Sequence, residues 1–375
     1  MRPQTPLLIL FILFLYSASA HAKSFDADGS DLLTGVGAEG IALSGAVTAG
    51  TSSIYSLYWN PAGLAELEEN EISISGQTNA KIVPLNFAAV AFTTNWLSSF
   101  GLKSSIALSY IPRLHIKASG SYAENDLESV FIRFALPDLP GTFSGDIESK
   151  TKDNRISFAI MPEFDPKWSM GFSMARVDCE TFFCGVTAKE PGKYIISSTK
   201  ATAYTLNIGA KYYYNPNLTF AFNLKDVNTT LDIELKTVYE DGTIKHKTFQ
   251  ASFPKDLTIG TQWLYHPNLK LSLDYQILSG NYGKYKMNIS TLRAGLEYSD
   301  QSLRYRFGLL APLKLEVAKV SNVKDKLLFP VAPSIGIGWN NKTYSIDAAL
   351  YTQIVMSAVR KKGVFGLDIS LTSKF

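Results

Sequence analysis

The chain has 375 residues, of which 18% are charged and 12% aromatic, against roughly 25% charged in ordinary soluble proteins. Lys and Arg total 36 against 33 acidic residues, a net charge of +3, which excludes a nucleic-acid binder driven by a concentrated basic face. A hydrophobic content of 46% excludes intrinsic disorder, and two cysteines are too few for a disulfide scaffold.

Residues 1–22 read as an export signal. Arg2 supplies the positive start, Leu7 to Tyr16 the apolar run, and Ser17 to Ala22 the small residues before cleavage near Lys23. Ten apolar residues fall short of the about twenty that a membrane-crossing helix needs. No Cys at the cleavage point marks a lipoprotein. Residues 23–70 follow, rich in Gly and Ala (Gly35, Gly37, Gly40, Gly45, Gly50) and without strand periodicity. From Glu71 to Phe375 the hydropathy alternates with period two.

The alternation defines strands. Trp168, Met170, Phe172 and Met174 oppose Ser169, Gly171, Ser173 and Ala175. Leu218, Phe220, Phe222 and Leu224 oppose Thr219, Ala221, Asn223 and Lys225. Leu269, Leu271, Leu273, Tyr275 and Ile277 oppose Lys270, Ser272, Asp274 and Gln276, and Leu303, Tyr305, Phe307 and Leu309 oppose Arg304, Arg306 and Gly308. Such strands match the roughly nine to eleven tilted residues that cross a hydrocarbon core.

Short turns fall at Asp165–Lys167, Asn215–Asn217, His266–Asn268, Asp300–Gln301 and Asn340–Asn341, with a looser one from Trp96 to Lys103. Long polar stretches separate them: 112–154, 177–202, 226–255, 279–290, 311–331 and 352–363. Six turns join six strand pairs, and one strand at each end makes fourteen, an even number as outer-membrane barrels require. The rings Trp96, Trp168, Tyr212, Tyr214, Trp263, Tyr265, Tyr298, Trp339 and Tyr344 cluster beside the short turns, as an interfacial girdle would. Lys225, Asp274, Arg293, Glu297, Arg304, Arg306 and Asp347 fall on the opposite face, which suits a hydrated lumen. The last segment ends in Phe375, with Phe365, Leu367, Ile369 and Leu371 on one face. That terminal aromatic is the signal read by barrel-assembly machinery. The expected fold is all-β, a fourteen-stranded antiparallel transmembrane barrel over 71–375, in the outer membrane of a bacterium. So wide a barrel is not filled by its own side chains, which makes 23–70 the candidate plug.

Gly37 to Ala46, followed by Ser56-Leu57-Tyr58-Trp59-Asn60-Pro61-Ala62-Gly63-Leu64-Ala65, resembles the N-terminal hatch of the long-chain fatty-acid transporter (FadL/TodX-like) superfamily. The resemblance covers about thirty residues and implies a fourteen-stranded barrel, a hatch, and passive diffusion of a hydrophobic molecule from an external groove. Ala42-Leu43-Ser44-Gly45 departs from the Met-Gly-Gly type of run usual there. The chain is also similar to a sister group, barrels of a bacterial secretion system that shuttle or tether exported cargo.

Individual residues carry alternatives. Asn60, Pro61, Ala62 and Gly63 are either a hatch element whose shift opens a passage or a cap that pins the plug; Ala62 to Glu68 can form a turn of helix. Arg293, Arg304 and Arg306 either hold a ligand carboxylate or join Glu297, Asp274 and Asp347 in an ion-pair network near the short-turn end. Phe131, Phe134 and Phe143, with Leu136 and Leu139, either form a capture groove or pack the loop cap on itself. Cys179 and Cys184 sit in one external loop, where a disulfide would shape it. Two thiolates do not complete a metal site. Leu231-Ile233-Leu235 and Thr248–Gln250 flank Asp241-Gly242 as a hairpin. His115, His246 and His266 have no nucleophile at a motif spacing and no Gly-x-Ser-x-Gly occurs, so no enzyme and no cofactor are expected. The expected function is passive uptake of hydrophobic small molecules, with membrane lipid around the barrel and the assembly machinery as a transient partner. The alternatives are a tether binding exported proteins through its loops, or an open porin for small polar solutes.

Overall fold

The computed structural model describes residues 23–30, 34–77, 85–123, 126, 128–129, 143–181, 187–190, 193–196, 201–227, 229–239, 241–252, 254–282, 285–317 and 331–375. Residues 1–22, read above as an export signal, and Phe131, Phe134, Leu136, Leu139 and Cys184 lie outside them. A short strand, β1 (Ser24–Asp28), opens the described chain. Fourteen strands then form the wall: β2 (Glu71–Gln77), β3 (Leu85–Thr94), β4 (Leu102–Tyr122), β5 (Phe143–Pro162), β6 (Trp168–Thr181), β9 (Ala201–Asn215), β10 (Leu218–Val227), β13 (Lys255–His266), β14 (Leu269–Tyr282), β15 (Tyr285–Asp300), β16 (Leu303–Val317), β17 (Ala332–Asn340), β18 (Tyr344–Thr352) and β19 (Phe365–Lys374). Each is antiparallel to the next, and β19 pairs back onto β2 from Asp368↔Gln77 to Lys374↔Glu71. Closure leaves no free sheet edge in the membrane, where unpaired backbone groups would find no water.

The alternation sets the faces. On β14, Leu273 and Tyr275 are 45% and 40% exposed, while Asp274 between them is fully buried. On β19, Phe365, Leu367, Ile369 and Leu371 point outward and Asp368 and Ser370 inward. All nine rings assigned to the girdle are exposed, and the six predicted turns each join neighbouring strands.

The structure corrects the polar stretches. β4 and β5 are 21 and 20 residues long, and strand continues through Pro112–Tyr122 and Phe143–Asn154, which read as loop. The stretch 279–290 is mostly β14 and β15, paired out to Tyr282↔Tyr285. The ladder outlasts the apolar belt: above the hydrocarbon both faces become polar, so hydropathy stops alternating while the backbone bonds continue. The last stretch holds a helix, α3 (Ile354–Arg360). Two hairpins project from the long-loop end: β7 (Thr187–Glu190) with β8 (Lys193–Ile196), and β11 (Thr230–Tyr239) with β12 (Ile244–Ser252). The second is the one expected around Asp241-Gly242. β8 pairs with β11, β7 with β5 and β12 with β14, so these hairpins extend the barrel sheet outward.

β4 changes course at Pro112, where its register with β5 shifts between Pro112 and Leu114. Below it β4 pairs with β3 from Ser104 to Tyr110. Above it β1 pairs with β4, from Asp28↔His115 to Ser24↔Ser119. Five residues of 23–70 are therefore strand, although no periodicity announced them.

Candidate functional site

Two short helices, α1 (Ala38–Ala42) and α2 (Ser56–Trp59), and a 3-10 helix, Pro61–Glu66, structure the segment before β2. Pro61 occupies a first helical position, where its missing N–H costs nothing, and Asn60 caps it by accepting from Ala62 N at 3.1 Å. The Asn60 amide donates to Thr48 O at 2.9 Å and to Ala210 O on β9 at 3.4 Å. Asn60, Pro61, Ala62 and Gly63 are all buried.

The segment lies within the ring of strands and bonds to inward side chains around it. Ala38 N donates to Ser370 Oγ (2.6 Å), Thr48 N to Asp274 Oδ2 (2.9 Å) and Ile54 N to Glu71 Oε2 (2.8 Å). Arg155 Nη1 donates to Leu57 O (3.0 Å), Asn223 Nδ2 to Trp59 O (2.6 Å) and Ser334 Oγ to Ala42 O (2.8 Å). Lys211 Nζ donates to Thr51 O and pairs with Glu66 Oε1. These bonds come from β2, β5, β9, β10, β14, β17 and β19, so the segment is tied to the wall on every side.

Glycines explain how it fits. A Cβ on Gly35, Gly40 or Gly45 would lie 2.1, 2.4 or 2.8 Å from the nearest Trp59 ring atom, so this run closes around one indole, whose Nε1 donates to Val36 O at 2.9 Å. On the wall, a Cβ on Gly171 would meet Pro61 C at 2.2 Å, and one on Gly209 would meet Asn60 Oδ1 at 2.0 Å. The Asn-Pro turn rests on these two inward positions of β6 and β9. Gly308 receives the Leu43 backbone in the same way at 2.4 Å. The wall glycines were not singled out in the sequence, where Gly171 and Gly308 read only as small members of alternating strands.

The three arginines part company. Arg306 is buried and bonds Glu297 Oε2 at 2.7 Å and Asp347 Oδ1 at 2.6 Å; Lys270 also reaches Glu297 at 3.2 Å. Arg293 lies deeper than expected, midway along β15. It donates to Gln276 Oε1 and weakly to Thr291 Oγ1 (3.4 Å), with its guanidinium 5.9 Å from the Trp59 ring centre. Arg304 is half-buried beside Asn340, whose amide, turned to donate to Ser302 O, accepts from Arg304 Nη2 at 2.9 Å. Among the described residues no hydrogen-bond partner is common to the three. Of the aromatic groove only the backbone of Phe143 is described, opposite Tyr122; of the cysteine pair, only Cys179, opposite Thr151.

On the long-loop side of the segment lies a second network. Arg113 of β4 makes a bidentate pair with Asp226 of β10, at 2.7 and 2.8 Å, four strands away around the ring. Such a reach requires the upper β4–β5 hairpin to lean over the lumen, and Pro112 provides the bend. Lys225 pairs with Asp256 at 2.8 Å and sits 4.4 Å from the Tyr58 ring centre. At the start of β1, Lys23 bonds Asp126 and Glu128, both at 3.0 Å. Burial alone would pull its pKa down, but the two carboxylates prevail and raise it. Two cavities between segment and wall, both beside Tyr351, have volumes of about 10 and 20 Å³, room for single waters. Among the described residues no three His, Cys, Asp or Glu converge on a metal position.

Neither a family model nor a curated protein matches this chain. Solved structures do. The P. putida toluene transporter TodX superposes with a TM-score of 0.57 at 12% identity, over 92% of this chain and 99% of that one. The Ralstonia pickettii toluene transporter TbuX gives 0.59 at 16%, over 92% and 99%. A Pseudomonas aeruginosa FadL homologue gives 0.57 at 12%, over 93% and 98%. The chain thus has the fold of the FadL/TodX-like barrels, along almost its whole length.

Proposed function

We propose that this protein lets hydrophobic small molecules cross the outer membrane passively, with residues 34–70 acting as a hatch. The observation that carries this reading is the kind of seat the segment occupies. It is held inside a closed fourteen-stranded wall by hydrogen and ionic bonds from many strands, and, containing no cysteine, it is covalently joined to the wall only through the chain itself. The fold shared with two toluene transporters supports a hydrophobic cargo, aromatic hydrocarbon or fatty acid. Asn60-Pro61 is then the hinge-like contact, resting on Gly171 and Gly209, and Arg306, already engaged by two carboxylates, belongs to the wall. Arg293, beside Trp59 and the Gly45 turn, is the arginine placed to sense movement of the hatch.

A disulfide lock tests the reading. The Oγ atoms of Ser44 and Ser334 lie 2.8 Å apart, close enough for two cysteines to bridge. In a background with both native cysteines replaced by serine, S44C/S334C is expected to abolish uptake of toluene and of a long-chain fatty acid into proteoliposomes when oxidised, and to regain it on reduction. Unchanged uptake by the oxidised barrel would refute a moving hatch.

The external hairpins favour a second reading, a surface partner for exported proteins. β7, β8, β11 and β12 join the barrel sheet through β5 and β14 and give the long-loop end an ordered platform. Deleting 229–252 while uptake continues unchanged, with loss of an exported protein from the purified barrel, would favour it.

A further inference from the structure

The outward wall carries a feature that passage through the lumen does not need. On β3 the outward residues Ala88 and Val90 are small, while Ile72 of β2, Leu108 of β4 and Ile156 of β5 stand higher around them. The result is a dent of about 570 Å³ in the lipid-facing surface. A void against hydrocarbon forfeits dispersion contacts on one side, so in a bilayer an acyl chain fills it.

Toward the long loops the dent is bordered by the polar Tyr110 and Asn154, and a polar row continues from them onto the next two strands. Tyr110, Asn154, Arg176 and Tyr204 lie side by side on β4, β5, β6 and β9, as successive register partners on the outward face. Arg176 is 57% exposed at its side chain. Its Nε donates to Asp178 Oδ1 at 3.0 Å, and its two terminal nitrogens make no hydrogen bond among the described residues. Lys152 follows one step farther from the membrane centre, opposite Asp178 in the β5–β6 register. Elsewhere around the wall, outward positions toward the long loops are apolar at Leu313 and Phe365 and polar at Lys255 and Ser279. A guanidinium at the edge of the hydrocarbon is costly unless hydrated or paired, and its two terminal nitrogens match a phosphate in bidentate fashion.

We infer that this groove and its rim form a binding site for a phosphate-bearing acylated lipid of the outer leaflet, with a chain over Ala88 and Val90 and the phosphate on Arg176, Asn154 and the flanking tyrosines. The site lies outside the barrel and holds whether or not the lumen conducts a cargo. The probe is diphosphoryl lipid A, measured by native mass spectrometry on the full-length barrel in detergent. Wild type is expected to retain one lipid A and to bind the dephosphorylated form about tenfold more weakly. A88W, which fills the dent, and R176E are each expected to weaken lipid A binding about tenfold or more. M170W, outward on β6 but away from the rim, is expected to leave it unchanged, and all three variants to keep the heat-resistant gel mobility of a folded barrel. Equal binding of the dephosphorylated lipid would overturn the inference, as would unchanged binding by folded R176E or A88W. Full displacement by millimolar inorganic phosphate would also overturn it, reducing the rim to a simple anion site.

Discussion

Asn60 uses both ends of its amide inside the barrel, the oxygen on Ala62 N and the nitrogen on Thr48 O and Ala210 O. Asn60→Ala strands a buried N–H and a buried carbonyl, and groups left in that state cost about 1–3 kcal/mol each. The expected outcome is a lower urea midpoint for the folded barrel in lipid vesicles, with the strand content of the remaining folded fraction unchanged. Gly171→Ala tests the other side of the same contact. Its Cβ would lie 2.2 Å from Pro61 C, a backbone atom that cannot rotate away, and overpacking of this kind costs about 1–3 kcal/mol. A Gly171→Ala barrel as stable as wild type, by the same urea titration, would mean that the Asn-Pro turn does not rest there.

At the scale of elements the upper β4–β5 hairpin is the part with a defined latch. Arg113 and Asp226 are both buried, and removing one member of a buried pair leaves the other charge uncompensated, at about 3–5 kcal/mol. Arg113→Ala is expected to raise amide hydrogen exchange in Ile111–Tyr122 and in β1, which pairs with that strand, while β13–β19 keep their protection. Adding Asp226→Asn removes the stranded charge and is expected to restore part of the protection. Exchange unchanged from wild type in Arg113→Ala would show that Pro112 and the β1 ladder hold the hairpin without the latch.

For the whole molecule the decisive property is closure. Segment 34–70 is bonded to seven of the fourteen wall strands, spread around the ring, and two cavities beside it hold about one water each. The purified barrel is therefore expected to show no steady ionic conductance in a planar bilayer. A constant ohmic current would identify an open porin and remove the need for a moving hatch. The oxidised S44C/S334C lock and its reduced form address the same property from the transport side.

The sequence by itself determined the class of object. Period-two alternation, six short turns, aromatic rings beside those turns and charges on the opposite face fix fourteen antiparallel strands and say which side of each meets lipid, because each of these signals is local and repeats every two residues. Asn60-Pro61 as a break and Asp241-Gly242 as a hairpin turn were legible for the same reason. Tertiary structure decided the rest. That Gly35, Gly40 and Gly45 surround Trp59, that Gly171 and Gly209 seat the Asn-Pro turn, that Arg306 serves two carboxylates while Arg293 serves neither, and that Arg113 reaches Asp226 all depend on contacts across the lumen. Those contacts join residues as far apart in the chain as Ala38 and Ser370. The polar upper strands were missed because backbone hydrogen bonds extend a ladder without regard to hydropathy, so only the folded register reveals where they end.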